Sequence, residues 1–255
     1  MYKVQSVLGS PLQLAALAAY GEAFPNSFPS LEILISIGAR LSPNLANQLR
    51  RSVCPAVLLS YASAELGIAA AASADKVDLA RGEVGYVLPR VQLEIVDEGG
   101  RPVTGIPGRV RISGEGGPRS YFGQSAGPDT NFEGKWFYPG DIGTLTADGL
   151  LSISGRQDNV VNLSGVKTTL ETIESDFLGA PAVSDVAAIV APDGLGVSRL
   201  IAFVVPRNDW SESKFWDYVQ AMAAGAPRPS KVVLLNALPR GPSGKIDRQR
   251  LLTLV

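Results

Sequence analysis

Two short apolar runs flank a well-marked helix near the start of the chain. This arrangement restricts the fold more than any other feature. Residues 31–37 end at Gly38 and read as a buried strand. Residues 56–61 read as a second buried strand. Between them Ser42 is an N-cap and Pro43 occupies the first helical position, which predicts a helix over 43–51. Strand, helix, strand makes a βαβ unit, and its strands run parallel. A further helix is predicted over 11–23, with Pro11 at its start and Leu12, Leu14, Ala15, Leu17 and Ala18 available for a core face. Ligands of such sheets lie beyond the carboxyl ends of the strands. That directs attention to Gly38-Ala39-Arg40 and to residues 61–65.

The pattern changes after about residue 80. Residues 91–96 and 110–113 read as short strands joined by Gly/Pro turns, and residues 149–155 as one more. It changes again near Asp158. From 159 onward the order is strand, strand, helix (170–178), strand (183–191), strand (199–205), helix (211–223), strand (231–235) and a terminal helical turn. The fold class expected is therefore α/β and α+β. A partial parallel αβ subdomain covers 1–80, a small β-barrel-like subdomain covers 81–157, and a small α+β domain covers 158–255.

Composition removes whole classes of chemistry. The 255 residues include no His and one Cys. That excludes Ser-His-Asp and Cys-His triads, His general bases, intrachain disulfides and Cys or His zinc sites. Without a His to activate it, Cys54 is read as a packed thiol rather than a nucleophile. The net charge of −1 comes with no basic run, so neither nucleic acid nor an anionic membrane is an expected partner. Residues 7–19 after Lys3 faintly resemble a secretory leader, but Gln5, Ser6, Ser10, Pro11 and Gln13 interrupt the apolar run. No apolar stretch is long enough to span a bilayer. A single thiol fits a cytoplasmic location.

Four clusters carry possible chemistry. Ser60-Tyr61-Ala62-Ser63-Ala64-Glu65 follows a buried strand and offers an aromatic ring, a hydroxyl and a carboxylate; the plainer reading is a capped strand end. In residues 136–143, Asp141 sits behind a Pro-Gly turn, from which its two oxygens could face a ribose diol; the plainer reading is a turn. In the third cluster Arg156 offers a planar donor fork, and Asp158 falls at the composition break; it continues through Gly165, Lys167, Ile173 and Glu174. The alternative there is a surface ion pair. The fourth, residues 238–248, projects Lys245 from a Gly/Pro loop. It is not a phosphate-binding P-loop, because Pro239 stands where the first Gly belongs and Ile246 lacks a hydroxyl. The alternative is a solvated loop lysine.

In order and spacing these clusters resemble the adenylate-forming (AMP-binding) superfamily of acyl-CoA synthetases, peptide-synthetase adenylation domains and luciferases. The family's Tyr-Gly-x-Thr-Glu resembles residues 61–65, and its Thr-Gly-Asp resembles residues 139–141. Its hinge segment is similar to residues 155–158, and its Gly-x-Lys and Ile-Glu are similar to 165–167 and 173–174. Its closing Pro-Ser-Gly-Lys-Ile-Asp-Arg is unchanged at 242–248. The resemblance implies ATP, Mg²⁺ and coenzyme A as cofactor and co-substrates, and a small carboxylic acid as substrate. It implies that Gly38 and Ala39 line an adenine pocket, Tyr61 stacks on the base, and Asp141 holds the ribose with Arg156. Glu65 would hold Mg²⁺. Lys245 would be catalytic, stabilising charge at the acyl carboxylate and α-phosphate. Asp158 would be the hinge, and Gly165 would lie by the thiol tunnel.

There are departures. Ala62 stands for a Gly, Ala64 and Pro139 for Thr residues, and Gly241 for a common Thr. Ala64 removes a hydroxyl that would face phosphate. The family's Ser/Thr/Gly-rich phosphate loop and most of its large N-terminal domain have no counterpart, so the resemblance implies a C-terminal half. The expected function is the C-terminal portion of an AMP-forming acid–thiol ligase, with the missing half supplied in cis or in trans. Association of copies through an open sheet edge is a further expectation. The alternatives are a non-catalytic nucleotide- or partner-binding relic and part of a peptide-synthetase-type adenylation domain.

Overall fold

The computed structural model describes residues 3–123, 131–163, 166–192, 198–241 and 244–255. It forms two compact units, Met1–Ser154 and Gly155–Val255. No helix among the described residues is long and apolar enough to cross a membrane.

The first unit begins with β1 (Ser6–Gly9), α1 (Pro11–Ala23), β2 (Ile33–Ile37), α2 (Pro43–Ser52) and β3 (Val57–Ser63). Local chemistry sets the helix starts. Ser10 and Gln13 form a capping box ahead of Pro11, and Ser42 accepts from the Leu45 N–H ahead of Pro43. Strands β1, β2 and β3 run parallel, as the βαβ reading requires. One face of these strands packs on both helices through Leu14, Ala18, Leu34, Leu49 and Val57, all essentially buried. Cys54 lies buried in the same core as a free cysteine. At the open edge β1 has no second neighbour among the described residues. Val4, Leu8 and Leu12 around it are exposed by half or more.

The sheet then turns antiparallel through β4 (Gly67–Ser73) and β5 (Glu83–Val87). It goes on through β6 (Val91–Val96), β7 (Pro102–Val103), β8 (Gly108–Gly114), β9 (Phe132–Glu133), β10 (Trp136–Phe137), β11 (Asp141–Leu145) and β12 (Leu150–Arg156). The spatial order is β1-β2-β3-β4-β5-β12-β11-β8-β10-β9, with β6 on β8 and β7 on β6. The barrel-like part expected over 81–157 is thus a continuation of this one sheet, and no pairing among the described strands closes it. Strand β4 makes the join, pairing with β3 on one edge and with β5 on the other. The curled portion is filled by Ala69, Ala70, Leu93, Ile95, Val110, Ile112 and Leu151.

The second unit contains the hairpin of β13 (Val160–Leu163) and β14 (Val166–Thr169), then α3 (Leu170–Leu178). A sheet of β15 (Val183–Pro192), β16 (Ser198–Pro206) and β17 (Lys231–Leu234) follows, with α4 (Glu212–Ala221) between β16 and β17, and α5 (Arg248–Leu252) closes the unit. This sheet is buried on both faces, hence its unbroken apolar runs. Val186, Ala188 and Val204 pack with Ile173, Phe177, Phe215 and Val219 of α3 and α4. Ala187, Ile189 and Phe203 pack with Leu238 and Leu251.

Candidate functional site

In the first unit, β3 ends in a register shift between Tyr61 and Ala62. A bulge of this kind re-aims the side chains beside it. The Ser63 hydroxyl accepts from the Leu66 N–H, and the turn closes at Gly67 with φ +72°. Glu65 stands in that turn. On the other side Gly140, with φ +79°, turns the chain into β11 so that Asp141 is its first residue.

The Tyr61 phenol donates to Asp141 Oδ2 over 2.6 Å. Strands β4, β5 and β12 lie between β3 and β11 in the sheet. Four strand steps of about 4.8 Å would hold the two residues roughly 19 Å apart in a flat sheet. The sheet must therefore curl here, and the curl brings two of the sequence clusters to one place. Glu65 has a partner of its own: the Tyr121 phenol donates to its Oε1 at 2.8 Å. Partial burial, and the carboxylate it faces, push the Tyr121 phenol up from its ordinary value.

Gly38 follows β2 with φ +85°, a conformation suited to glycine, and nothing lies within 4 Å of where a Cβ would stand. Ala39 is likewise exposed, beside a recess lined by Ser36, Arg40, Ser60, Glu83 and Val84. The Arg40 guanidinium is engaged on the Leu79 and Ala80 carbonyls. The Ser36 and Ser60 hydroxyls are buried without a hydrogen-bond partner.

In the second unit Arg156 ends β12 and is exposed, and Asp158 lies exposed in the 3₁₀ turn of residues 157–159. Gly155 is buried; a Cβ there would meet Glu171 Oε2 at 2.5 Å and Thr169 Oγ1 at 2.6 Å. Lys167 pairs with Asn162 across the β13–β14 hairpin. Gly165, assigned by resemblance to the thiol tunnel, lies outside the described residues.

Lys245 lies between Arg240 and Asp247, a stretch in which residues 242 and 243 of the Pro-Ser-Gly-Lys motif lie outside the described residues. Arg240 and Ile246 form an antiparallel bridge, the Gly241 N–H donates to the Lys245 carbonyl, and the Asp247 N–H donates to the Pro239 carbonyl, both at 2.9 Å. Ile246 packs with the cluster around Leu238 and Leu251. Side chains alternate along extended backbone, so the neighbouring Lys245 faces solvent.

Glu174 joins the third cluster to the fourth. Its Oε1 accepts from the Arg248 guanidinium at 2.7 Å and from the Ala188 N–H at 2.8 Å. Burial pushes the Glu174 carboxyl up to about 7, against the pull of Arg248 and the Ala188 N–H.

The structure thus joins Tyr61 to Asp141 within the first unit and Glu174 to Arg248 within the second. Sequence reasoning missed Tyr121, which stands 56 residues from Glu65 with no motif around it. It also missed the ion pair of Arg240 with Asp185 at 2.6 Å. As for a divalent ion, no three His, Cys, Asp or Glu side chains stand together among the described residues. Glu65 offers a single carboxylate. That suits Mg²⁺, which keeps several waters and takes its other ligands from substrate phosphates.

Residues 1–122 match the family model of the AMP-binding enzyme, and residues 172–245 that of the AMP-binding enzyme C-terminal domain. Acetyl-coenzyme A synthetase of Pyrobaculum arsenaticum is 27% identical over 270 residues, covering 98% of this chain and 40% of its own. 4-Coumarate–CoA ligase-like 6 of Oryza sativa is 29% identical, covering 98% and 43%. A dimodular nonribosomal peptide synthase of Bacillus subtilis is 31% identical over 178 residues, 66% of this chain and 8% of its own. Among solved structures, the amide bond synthetase McbA from Marinactinospora thermotolerans superposes with a TM-score of 0.86 at 23% identity, over 99% of this chain and 53% of that one. The anthranilate CoA ligase AuaEII, in complex with anthranoyl-AMP, gives 0.81 at 24%, over 99% and 50%. The chain spans about half the length, or less, of these relatives.

Proposed function

The chain belongs to the adenylate-forming, AMP-binding superfamily, and on that premise we propose that it is the C-terminal portion of an ATP-dependent, AMP-forming acid–thiol ligase. A small carboxylic acid attacks the α-phosphate of ATP and releases pyrophosphate. The acyl group then passes to the thiol of coenzyme A and AMP departs. The observation that carries this reading is the hydrogen bond from Tyr61 to Asp141. It supports a single nucleoside site made from two motifs 80 residues apart.

In this proposal Gly38 and Ala39 line the adenine pocket, Tyr61 stacks on the base, and Asp141 binds the ribose hydroxyls with Arg156. Glu65 would hold Mg²⁺, which would offset the charge of the phosphates when bound. Lys245 places positive charge at the acyl carboxylate and the α-phosphate. In-line attack on phosphorus depends on positioning and charge more than on a base, which agrees with a chain that contains no His. Asp158 is the hinge of a mobile domain over 158–255, with the nucleotide-binding part divided into 1–80 and 81–157. Gly165 borders the route of the thiol. The phosphate loop comes from an N-terminal half, in cis or in trans, for which the open β1 edge is the docking place. A second copy of the chain is the competing occupant of that edge. A cytoplasmic location belongs to the same proposal, in keeping with a single Cys.

The test is acid-dependent exchange of pyrophosphate into ATP by this chain joined to the N-terminal half, followed by a comparison of coenzyme A with a carrier-protein thiol. Exchange with transfer to coenzyme A is expected. Transfer to the carrier alone would move the chain to the peptide-synthetase type. Adenine-nucleotide binding with no exchange for any acid would favour a non-catalytic binding module, a reading whose support is Ala64 in place of a hydroxyl.

A further inference from the structure

We propose that Arg240 and Arg248 are positioning residues that clamp the Lys245 loop from both ends, Arg248 being the stronger of the two. The inference rests on the assignment of Lys245 to the reacting centre. Among the described residues the loop's own hydrogen bonds link Arg240 with Ile246, Gly241 with Lys245 and Pro239 with Asp247, and Ile246 packs with Leu238 and Leu251. Two arginines add the polar attachments to the rest of the unit. Arg240 donates through Nη1 to the Gly244 carbonyl at 2.9 Å inside the loop, and through Nη2 to Asp185 Oδ2 on β15 at 2.6 Å. Beyond the loop, Asp247 caps α5 by accepting from the Arg250 N–H, and Arg248 is the first residue of that helix. Arg248 Nη2 reaches Glu174 Oε1 at 2.7 Å and Glu171 Oε1 at 3.7 Å, both on α3.

Burial ranks the two holds. The Arg240 and Asp185 side chains are 29% and 38% exposed, those of Arg248 and Glu174 only 22% and 11%. An exposed pair is screened by water, whereas breaking a buried pair leaves its polar atoms poorly solvated and without a partner. Glu174 is itself fixed, since the same oxygen accepts from the Ala188 N–H at the centre of β15. The path from the middle of the sheet to the lysine loop is therefore short: Ala188, Glu174, Arg248, then three residues back to Lys245. Arg248 Nε is buried without a hydrogen-bond partner, and the contacts to Glu174 and Glu171 both come from Nη2. A point contact of this kind can be reproduced in part by the single ammonium of a lysine.

The experiment has two arms. In this chain, hydrogen exchange of residues 238–247 is compared with that of β15 and β16 in wild type, Arg248→Gln, Arg248→Lys and Glu174→Gln. Loss of a charge-assisted hydrogen bond predicts exchange faster by about tenfold or more in the loop for Arg248→Gln, with partial recovery in Arg248→Lys. The sheet should be unchanged. In the chain joined to its N-terminal half, Arg248→Gln should lower kcat for adenylation by about tenfold or more while the KM for ATP stays within about twofold. Unaltered loop exchange in a folded Arg248→Gln protein overturns the proposal, as does a loss confined to KM. Should Arg248→Gln fail to fold, Glu174→Gln and Arg240→Gln are read in the same way. If the joined wild type does not adenylate any acid, the functional reading fails, and loop exchange alone decides whether the clamp exists.

Discussion

Tyr61 gives its phenolic hydrogen to Asp141 Oδ2 at 2.6 Å, across three intervening strands. One side chain therefore has two tasks in the proposed nucleoside site, with its ring for the base and its hydroxyl for the residue that would bind the ribose. The two separate by substitution. Tyr61→Phe keeps the ring and loses a hydrogen bond to a charged group, worth about 1–2 kcal/mol, so the KM for ATP should rise by roughly 5–30-fold with kcat nearly unchanged. Tyr61→Ala should be worse, having lost both. Pyrophosphate exchange measured against ATP concentration checks this; equal KM for Phe and wild type would leave the hydrogen bond without a role.

Lys245 faces solvent and its loop is closed by backbone, so its removal should not unfold the domain. Lys245→Ala should lower the rate of adenylation by about 10²–10³-fold, the range for deleting one donor to a developing charge. ATP binding, followed by calorimetry, should remain close to wild type. A mutant as active as wild type would remove Lys245 from the reaction.

Asp158 lies in an exposed 3₁₀ turn. Proline fixes φ, so Asp158→Pro should restrict rotation there. Thioester formation should fall more than adenylation, measured as separate half-reactions in single turnover. Equal losses in both would dismiss the hinge.

Glu174 supplies a pH dependence. Its carboxyl rises from an ordinary 4.5 to about 7 on folding, because burial outweighs the pull of Arg248 on α5, and Glu171 on α3 adds to the rise. Folding then takes up a proton between these two values. The stability this group contributes is fully present below about 4.5 and lost as pH rises through about 7. Thermal unfolding of wild type should shift downward across this window, by a contribution on the order of 3 kcal/mol. Glu174→Gln should flatten the slope. An identical slope in the variant would assign the dependence to other groups.

The elements legible in the sequence are those set by local chemistry. Pro11 and Ser42-Pro43 mark two helix starts, and the helix read over 170–178 coincides with α3, whose start Thr169 caps. The βαβ reading likewise fixed the parallel pairing of β2 with β3. Strand β4 was illegible: its run of alanines has little strand preference, and it is extended because β3 and β5 pair with its two edges. The same holds at the site. Tyr61, Asp141 and Lys245 could be picked out singly, but the contact of Tyr61 with Asp141 depends on the curl of a sheet, and that of Glu174 with Arg248 spans 74 residues. No spacing rule reaches so far.

The free edge of β1 has a practical consequence at the bench. No described strand pairs with its outer side, and Val4, Leu8 and Leu12 beside it are 50%, 58% and 52% exposed. Two such edges can pair when chains meet. Purified by itself, the protein should show an apparent mass that rises from one copy toward two with concentration, and that self-association should disappear when it is co-expressed with a polypeptide that supplies the neighbouring strand.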